Sequence, residues 1–258
     1  MIGPGWRDLG AELDAWRTAG RVATLWWRDD DAGGVTPPLR RLIELSSLTG
    51  TPLALAVIPE RCSTLLPGAL RRAPIAVLQH GYAHANRAEP AAKKSEFGAG
   101  RPLGQVRTEL AMGRRLLERA FDDRFLPVLV PPWNRIAAPV CALLGEIGYR
   151  GLSTFGPRDA PEAAAGVRRV NTHVDLIDWR GGRGFVGEAA ALAALTGHLA
   201  ARRAGTVDGD EPSGVLSHHL DHDAGCWAFL GALFASTAGH PAARWIEPAT
   251  AFGLGAPV

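Results

Sequence analysis

Short apolar blocks alternate with helical stripes along the chain. Residues 7–19 place Leu9, Leu13 and Trp16 on one face, the spacing of an amphipathic helix. Residues 21–28 (RVATLWWR) read as a strand. Thr36 followed by Pro37 supplies an N-cap and a first-turn proline, and the helix it starts runs to about Thr49 and stops at Gly50. The run 52–59 (PLALAVIP) is short and bounded by prolines, as a buried strand is. Further strands are predicted over 74–79, 125–130, 149–153, 167–172 and 213–218, and helices over 103–120, 137–147, 188–203 and 224–238. Alternation of this kind implies an α/β fold with a parallel sheet and helical crossovers. About seven such units favour a barrel over an open sheet. No composition shift marks a boundary, so residues 1–258 are expected to form a single domain, with 156–166 as a loop or tether.

Composition then narrows the class. With 47% apolar and 21% charged side chains, the chain is globular and not a disordered one. Lys+Arg 28 against Asp+Glu 26 leaves +2, and the basic residues are scattered. Such a balance excludes the basic stripe of a nucleic-acid binder. No apolar run reaches the roughly 18–20 residues of a membrane span. The stretch MIGPGWRDLGAELDAW carries acids and tryptophans where a signal peptide needs a basic start and an apolar block. The expectation is a cytoplasmic protein. Cys62, Cys141 and Cys226 are odd in number and far apart, so neither a disulfide framework nor a thiolate zinc site is expected. Nothing in the pattern fixes the oligomeric state.

The ionisable clusters fall just after predicted strands, where a parallel sheet or barrel presents its binding face. Asp29, Asp30 and Asp31 follow the first strand, and His80 and His84 follow 74–79. Pro131, Pro132, Trp133 and Asn134 follow 125–130, Asp175, Asp178 and Trp179 follow 167–172, and His218, His219, Asp221 and His222 follow 213–218. Each cluster alone has a plain structural explanation as a solvated loop, a helix cap or a packing turn. Five on one edge are not what chance scatters. One carboxylate and two imidazoles hold a divalent cation such as zinc while leaving positions open, and Asp31, His80 and His84 supply that set. Asp30 is placed as the general base and His218 as the acid. Adjacent aspartates in extended backbone point to opposite faces, so a bend at Ala32-Gly33-Gly34 is expected to bring both to the site.

These residues resemble the five ordered motifs of the polysaccharide deacetylase family, over roughly residues 21–220. WWRDDDAG resembles the first, an Asp-Asp pair, aligning Asp30 with the base and Asp31 with the metal ligand; the alternative register takes Asp29 and Asp30. HGYAH resembles the second, His-Ser/Thr-x-x-His, giving His80 and His84 as ligands, with Gly81 in place of the hydroxyl residue that braces the loop. VPPWNR matches only the Pro-Trp part of the third, and Val130 stands where an arginine that steers the catalytic aspartate is expected; Arg28 and Arg135 are the candidate substitutes. DLIDW matches the fourth, Asp-x-x-Asp-Trp, at Asp175, Asp178 and Trp179, and LSH matches the fifth at Leu216 and His218, with His219 an added neighbour.

The resemblance implies a distorted (β/α) barrel of about seven strands that removes an acetyl group from an N-acetylated sugar or glycan precursor. It implies a divalent metal, zinc or cobalt, on Asp31, His80 and His84. Asp30 is then the base, His218 the acid, and Trp133, Asn134, Asp178 and Trp179 the substrate-binding residues. Asp29, His219 and Asp175 are alternative members. An oxyanion would be met by the metal and a backbone N–H, that of Tyr82 or a neighbour in the His80–His84 loop being the candidate. Two rival readings are an inactive carbohydrate-binding or regulatory barrel, prompted by Val130, and an amidase acting on a non-sugar C–N bond. Residues 85–102 are a candidate cover over the substrate, His173 is read as a surface histidine, and His198 and His240 carry no role.

Overall fold

The computed structural model describes residues 3–255. Helix α1 (Pro4–Thr18) buries Leu9, Leu13 and Trp16 as its stripe predicts. Strand β1 (Ala23–Ala32) runs four residues past its expected end and carries all three aspartates. Helix α2 (Pro37–Thr49) starts where the Thr36 hydroxyl accepts the Leu39 N–H, and it ends on Gly50 at φ 66°, the left-handed C-terminal conformation that glycine adopts without strain. There follow β2 (Leu53–Val57), the short α3 (Leu66–Leu70), β3 (Ile75–His80), α4 (Leu103–Phe121), β4 (Phe125–Val130), α5 (Ala138–Ile147) and β5 (Gly151–Leu152). The segment read as a tether contains β6 (Glu162–Ala164), which forms an antiparallel pair with β7 (Val167–Arg169). Its backbone is therefore tied down along one edge. The chain continues through β8 (Val174–Asp175), α6 (Glu188–Ala204), β9 (Ser213–Ser217), α7 (Ala224–Ala238), β10 (Ala243–Trp245) and α8 (Pro248–Ala251).

All other pairings between these strands are parallel. Strands β9, β1, β2, β3, β4, β5 and β7 lie side by side in that order, with β10 flanking the start of β1. The stretch from β7 to β8 closes the circle. On one side it bonds to the β5 segment, with Val170 N–H on Leu152 O and Thr172 N–H on Thr154 O. On the other, the His173 N–H reaches Gly214 O and β8 pairs with β9. The result is a seven-strand barrel distorted by very short staves.

Alternation along the strands divides the apolar side chains into an inner and an outer set. Trp26 points inward among Ala54, Ala56, Leu78, Val128 and Val130. Phe252 meets its ring edge-on at 5.7 Å and closes that end. The inner set has room for an indole because its neighbours are small: a Cβ on Gly214 would lie 2.4 Å from Trp26 Nε1. Trp27 points outward, packs on Phe234 of α7 and donates its indole N–H to Ser217 Oγ. Among the described residues no helix is long and apolar enough to cross a membrane.

Candidate active site

The predicted bend lies at Asp31 itself and not at Ala32-Gly33-Gly34. Between Asp29 and Ala32 the register of β1 against β2 slips, Asp30 and Asp31 on β1 opposing the single Ala56 on β2, and Asp31 takes φ 72°. A bulge of this kind re-aims side chains beside it. Asp30 and Asp31 thereby both line one cavity of about 600 Å³, together with His80, His84, Trp133, Asn134, Asp175, Trp179 and His218. Asp29 faces the other way. Its carboxylate accepts the Ser217 hydroxyl at 2.6 Å and the His219 N–H at 3.0 Å, and it lies 2.5 Å from His219 Nδ1. Asp29 and His219 satisfy each other, and neither lines the cavity.

Asp31 Oδ1 lies 3.1 Å from His80 Nε2 and 3.2 Å from His84 Nε2, a three-donor group that could hold a metal ion. The tautomer of His80 fits that use. Its Nδ1 lies 3.0 Å from the Val130 carbonyl. A carbonyl only accepts, so the Nδ1 carries the proton and the Nε2 lone pair of a neutral ring faces Asp31. An Asp31 oxygen and that lone pair repel unless a proton or a cation sits between them. Burial opposes the charge of Asp31, yet its hydrogen bond to His80 and the charges of His80, His218 and His84 hold its carboxyl well below the usual carboxylate range. Burial works against a charged His80 as well, and the carboxylates of Asp30 and Asp31 overcome it, raising its pKa. Burial and the nearby His80 lower that of His84.

Asp30 is gripped by Arg28. The guanidinium forks onto both carboxylate oxygens, Nε to Oδ1 at 2.9 Å and Nη2 to Oδ2 at 3.0 Å. Arg28 is completely buried and is itself fixed by Ser153 Oγ at 2.6 Å and Asn134 Oδ1 at 2.8 Å. Trp133 and Asn134 adopt φ of 57° and 55°, which turns the Asn134 amide back to Arg28 and sets the Trp133 ring 4.6 Å from that of His84. His218 lines the same cavity, with Nδ1 3.8 Å from Asp175 Oδ1 and its ring edge-on to Trp179. Asp175 accepts the Trp179 indole N–H at 2.8 Å. Its pKa is raised, burial outweighing the charge of His218.

The sequence matches no protein-family model and no curated protein. Solved structures do match. A protein from Mycobacterium smegmatis assigned to the polysaccharide deacetylases aligns over 91% of this chain and 90% of its own, at TM-score 0.65 and 16% identity. A family 4 acetyl xylan esterase from Clostridium thermocellum, in complex with a cobalt ion, aligns over 90% and 91% at TM-score 0.56 and 11% identity. A carbohydrate esterase family 4 pseudoenzyme from Bacillus anthracis aligns over 90% of this chain and 66% of its own, at TM-score 0.56 and 13% identity. The chain has the polysaccharide deacetylase fold.

Within that fold, several expected parts sit elsewhere. The partner of Asp30 is Arg28 and not Arg135, which is exposed and donates to the Lys94 carbonyl. Asp178 does not line that cavity. Its carboxylate accepts the N–H groups of Arg180 and Gly181 and so closes its own turn. Of the two aspartates in DLIDW, Asp175 is the one in the cavity.

Glu96 was not legible beforehand. Its carboxylate accepts the N–H of Tyr82 at 3.2 Å and of Ala83 at 2.8 Å, so Tyr82 is not a free oxyanion donor. A Cβ on Gly81 would lie 2.1 Å from Glu96 Oε2. Glu96 and the Pro132 ring together fill the space beside Gly81, and Glu96 braces the loop through these two N–H groups. The one available signal was Gly81 itself, which left the brace unassigned. The same residues pin part of the candidate cover, since Phe97 is wholly buried and bridges to Ile136. His173 is buried too, its ring stacked 3.4 Å from that of His198 beside Glu211. Those three form a second cluster of metal-ligand types. His173 Nδ1 accepts the Gly214 N–H, which leaves the proton on Nε2 and no lone pair there for an ion.

Proposed function

We propose that this protein is a divergent polysaccharide deacetylase, a metal-dependent hydrolase that removes an acetyl group from an N-acetylated sugar or glycan precursor. The observation that carries the reading is the convergence of Asp31, His80 and His84 on one point, beside a carboxylate held in a bidentate arginine fork. Asp31, His80 and His84 would hold the cation, with zinc or cobalt the candidates. When bound, a divalent ion there supplies Lewis acidity toward the acetyl carbonyl and makes water acidic enough to react near neutral pH.

The chain's own groups do the remainder. Asp30 accepts the proton of the attacking water, and the Arg28 fork fixes the direction of its carboxylate. His218 gives a proton to the departing amine, with the Asp175 carboxylate 3.8 Å from its Nδ1 and the Trp179 ring packed against it edge to face. Trp133 and Trp179 form walls on which a sugar ring can stack. The altered third motif favours an inactive barrel only if Asp30 lacks a guide, and Arg28 provides one. Three free thiols, Cys62, Cys141 and Cys226, support the cytoplasm as compartment.

Acetate release from N-acetylated sugars tests the reading. Activity is expected to vanish on removal of metal and to return with zinc or cobalt. Undiminished release by His80→Ala/His84→Ala protein overturns it, and turnover of non-sugar amides alone replaces it with the amidase.

A further inference from the structure

The floor of the cavity and its rim carry opposite characters. On the floor Asp30 is neutralised by Arg28, Asp31 faces two imidazoles, and Asp175 lies near His218. The rim is made by Lys94, Arg135, Arg180 and Arg183, all four lining the same cavity. They come from three separate segments: the loop before α4, the turn after β4 and the loop after β8. Among the described residues no carboxylate lies within ion-pair distance of Lys94, Arg135 or Arg180, while Arg183 has one distant partner, Asp221 at 3.5 Å. In a chain with a net charge of only +2, four cations around one opening is a concentration of charge.

These side chains are also partly preset. Arg135 Nη1 is tied to the Lys94 carbonyl at 2.8 Å, which leaves the rest of the guanidinium to face the opening. The Arg183 guanidinium lies over the Trp179 ring, 5.3 Å from its centroid, and Trp179 is itself half-exposed. Guanidinium groups recognise carboxylate and phosphate oxygens in pairs. A rim carrying one sign of charge also draws ligands of the other toward the opening. A neutral N-acetylated sugar uses none of this.

We infer that the substrate is an N-acetylated sugar bearing an anionic group, a phosphate or a carboxylate, which the rim cations hold while the acetamide reaches Asp31, His80 and His84. This rests on the hydrolase reading for the acetamide end and on the rim alone for the anionic end. The probes are N-acetylglucosamine 1-phosphate, N-acetylmuramic acid and neutral N-acetylglucosamine, titrated calorimetrically into zinc-loaded protein and assayed for acetate release.

An anionic probe is expected to bind at least about tenfold more tightly than the neutral one, since a charge-assisted pair of hydrogen bonds is worth that much. The preference should shrink as salt rises from about 50 mM to about 500 mM, and it should disappear in Arg135→Glu/Arg180→Glu protein. Single Arg135→Gln and Arg180→Gln changes show the same loss in smaller steps if the double reversal folds poorly. Which anionic probe leads distinguishes phosphate from carboxylate. Equal or tighter binding of the neutral sugar, no binding of any probe, or a preference that survives charge reversal overturns the inference. Acetate release from the neutral sugar without an anionic preference rejects the rim and leaves the hydrolase. An anionic preference without acetate release from any probe rejects the hydrolase and leaves the rim.

Discussion

Arg28 and Asp30 sit two apart on β1, and that spacing puts both on the inner face of a strand. The pair was therefore within reach of the sequence, where Arg28 stood only as one of two substitutes for the arginine missing at Val130. What the sequence did not carry was Ser153 and Asn134, more than a hundred residues away, which hold Arg28 in register. A lysine has no fork and meets the carboxylate through a single point. Arg28→Lys is expected to lower turnover by about 10- to 100-fold through misplacement of Asp30, with zinc content by metal analysis unchanged. Glu96 yields a different signature because it acts on the ligand loop. Glu96→Gln replaces one of two acceptors by a donor facing an N–H, and zinc affinity, read by competition with a chelator, should weaken about tenfold or more. Gly81→Ser alone collides with Glu96 and with the Pro132 ring, at a φ of 59° that favours glycine, and should fold poorly. Combined with Glu96→Ala it should regain part of the lost thermal stability, which a double-mutant cycle registers as coupling. The grouping of Asp31, His80 and His84 was legible because its residue types are restrictive and the two histidines lie four residues apart; a brace supplied from fifteen residues onward has no such mark.

At the level of elements, every long helix and four of the five well-formed strands fall near their predicted bounds, because amphipathic stripes and short apolar runs report burial directly, whereas β1 runs on through its aspartates. The staves β5 and β8, two residues each, leave almost no periodicity to read, and the bulge in β1 is a matter of register against a neighbour. The contact of α6 with β9 is a case where pattern misleads. His173 and His198 look like ordinary polar positions, yet His198 Nδ1 lies 2.8 Å from Ser213 Oγ on β9 and both rings are buried. Burial pushes the pKa of His198 down to about 2 and that of His222 to about 4, and it lowers His173 as well. In the unfolded chain each histidine titrates near 6.5. Below that pH the unfolded state binds protons the folded state refuses. Stability is thus complete above about pH 6.5 and falls on acidification, by up to about 1.4 kcal/mol per pH unit for each such group. His80 and His219, whose pKa values are raised, work in the opposite sense, favouring the folded state in acid and losing that contribution as pH rises. The cleanest measurement is therefore a difference. His198→Gln should reduce the loss of Tm between about pH 7.5 and pH 5 relative to the parent, and an unchanged slope would remove His198 from the account.

For the whole molecule, the barrel was foreseeable from alternation, whereas its closure depends on one stretch, β7 to β8, that bonds to β5 on one side and to β9 on the other. No single-strand pattern encodes a partner on each side. Closure matters to the chemistry because it fixes the strand ends relative to one another. Asp31 comes from β1 and the two histidines from the end of β3 and the loop beyond it. They converge only when β1, β2 and β3 are in register. The unfolded chain has no such site, so an ion that binds there binds the native state alone and adds its free energy to stability. At a free concentration of about 100 times its Kd, that contribution is about 2.7 kcal/mol. For a chain of this size it amounts to about 5–10 °C in Tm. Zinc-loaded protein treated with a strong chelator should lose that much and recover it when zinc is returned. His80→Ala/His84→Ala protein should show a Tm that neither chelator nor zinc moves, which separates ligation at this point from adventitious binding at the surface. If the parent's Tm were equally indifferent, the convergence of Asp31, His80 and His84 would be a buried hydrogen-bonded cluster, and the hydrolytic role would fail with it.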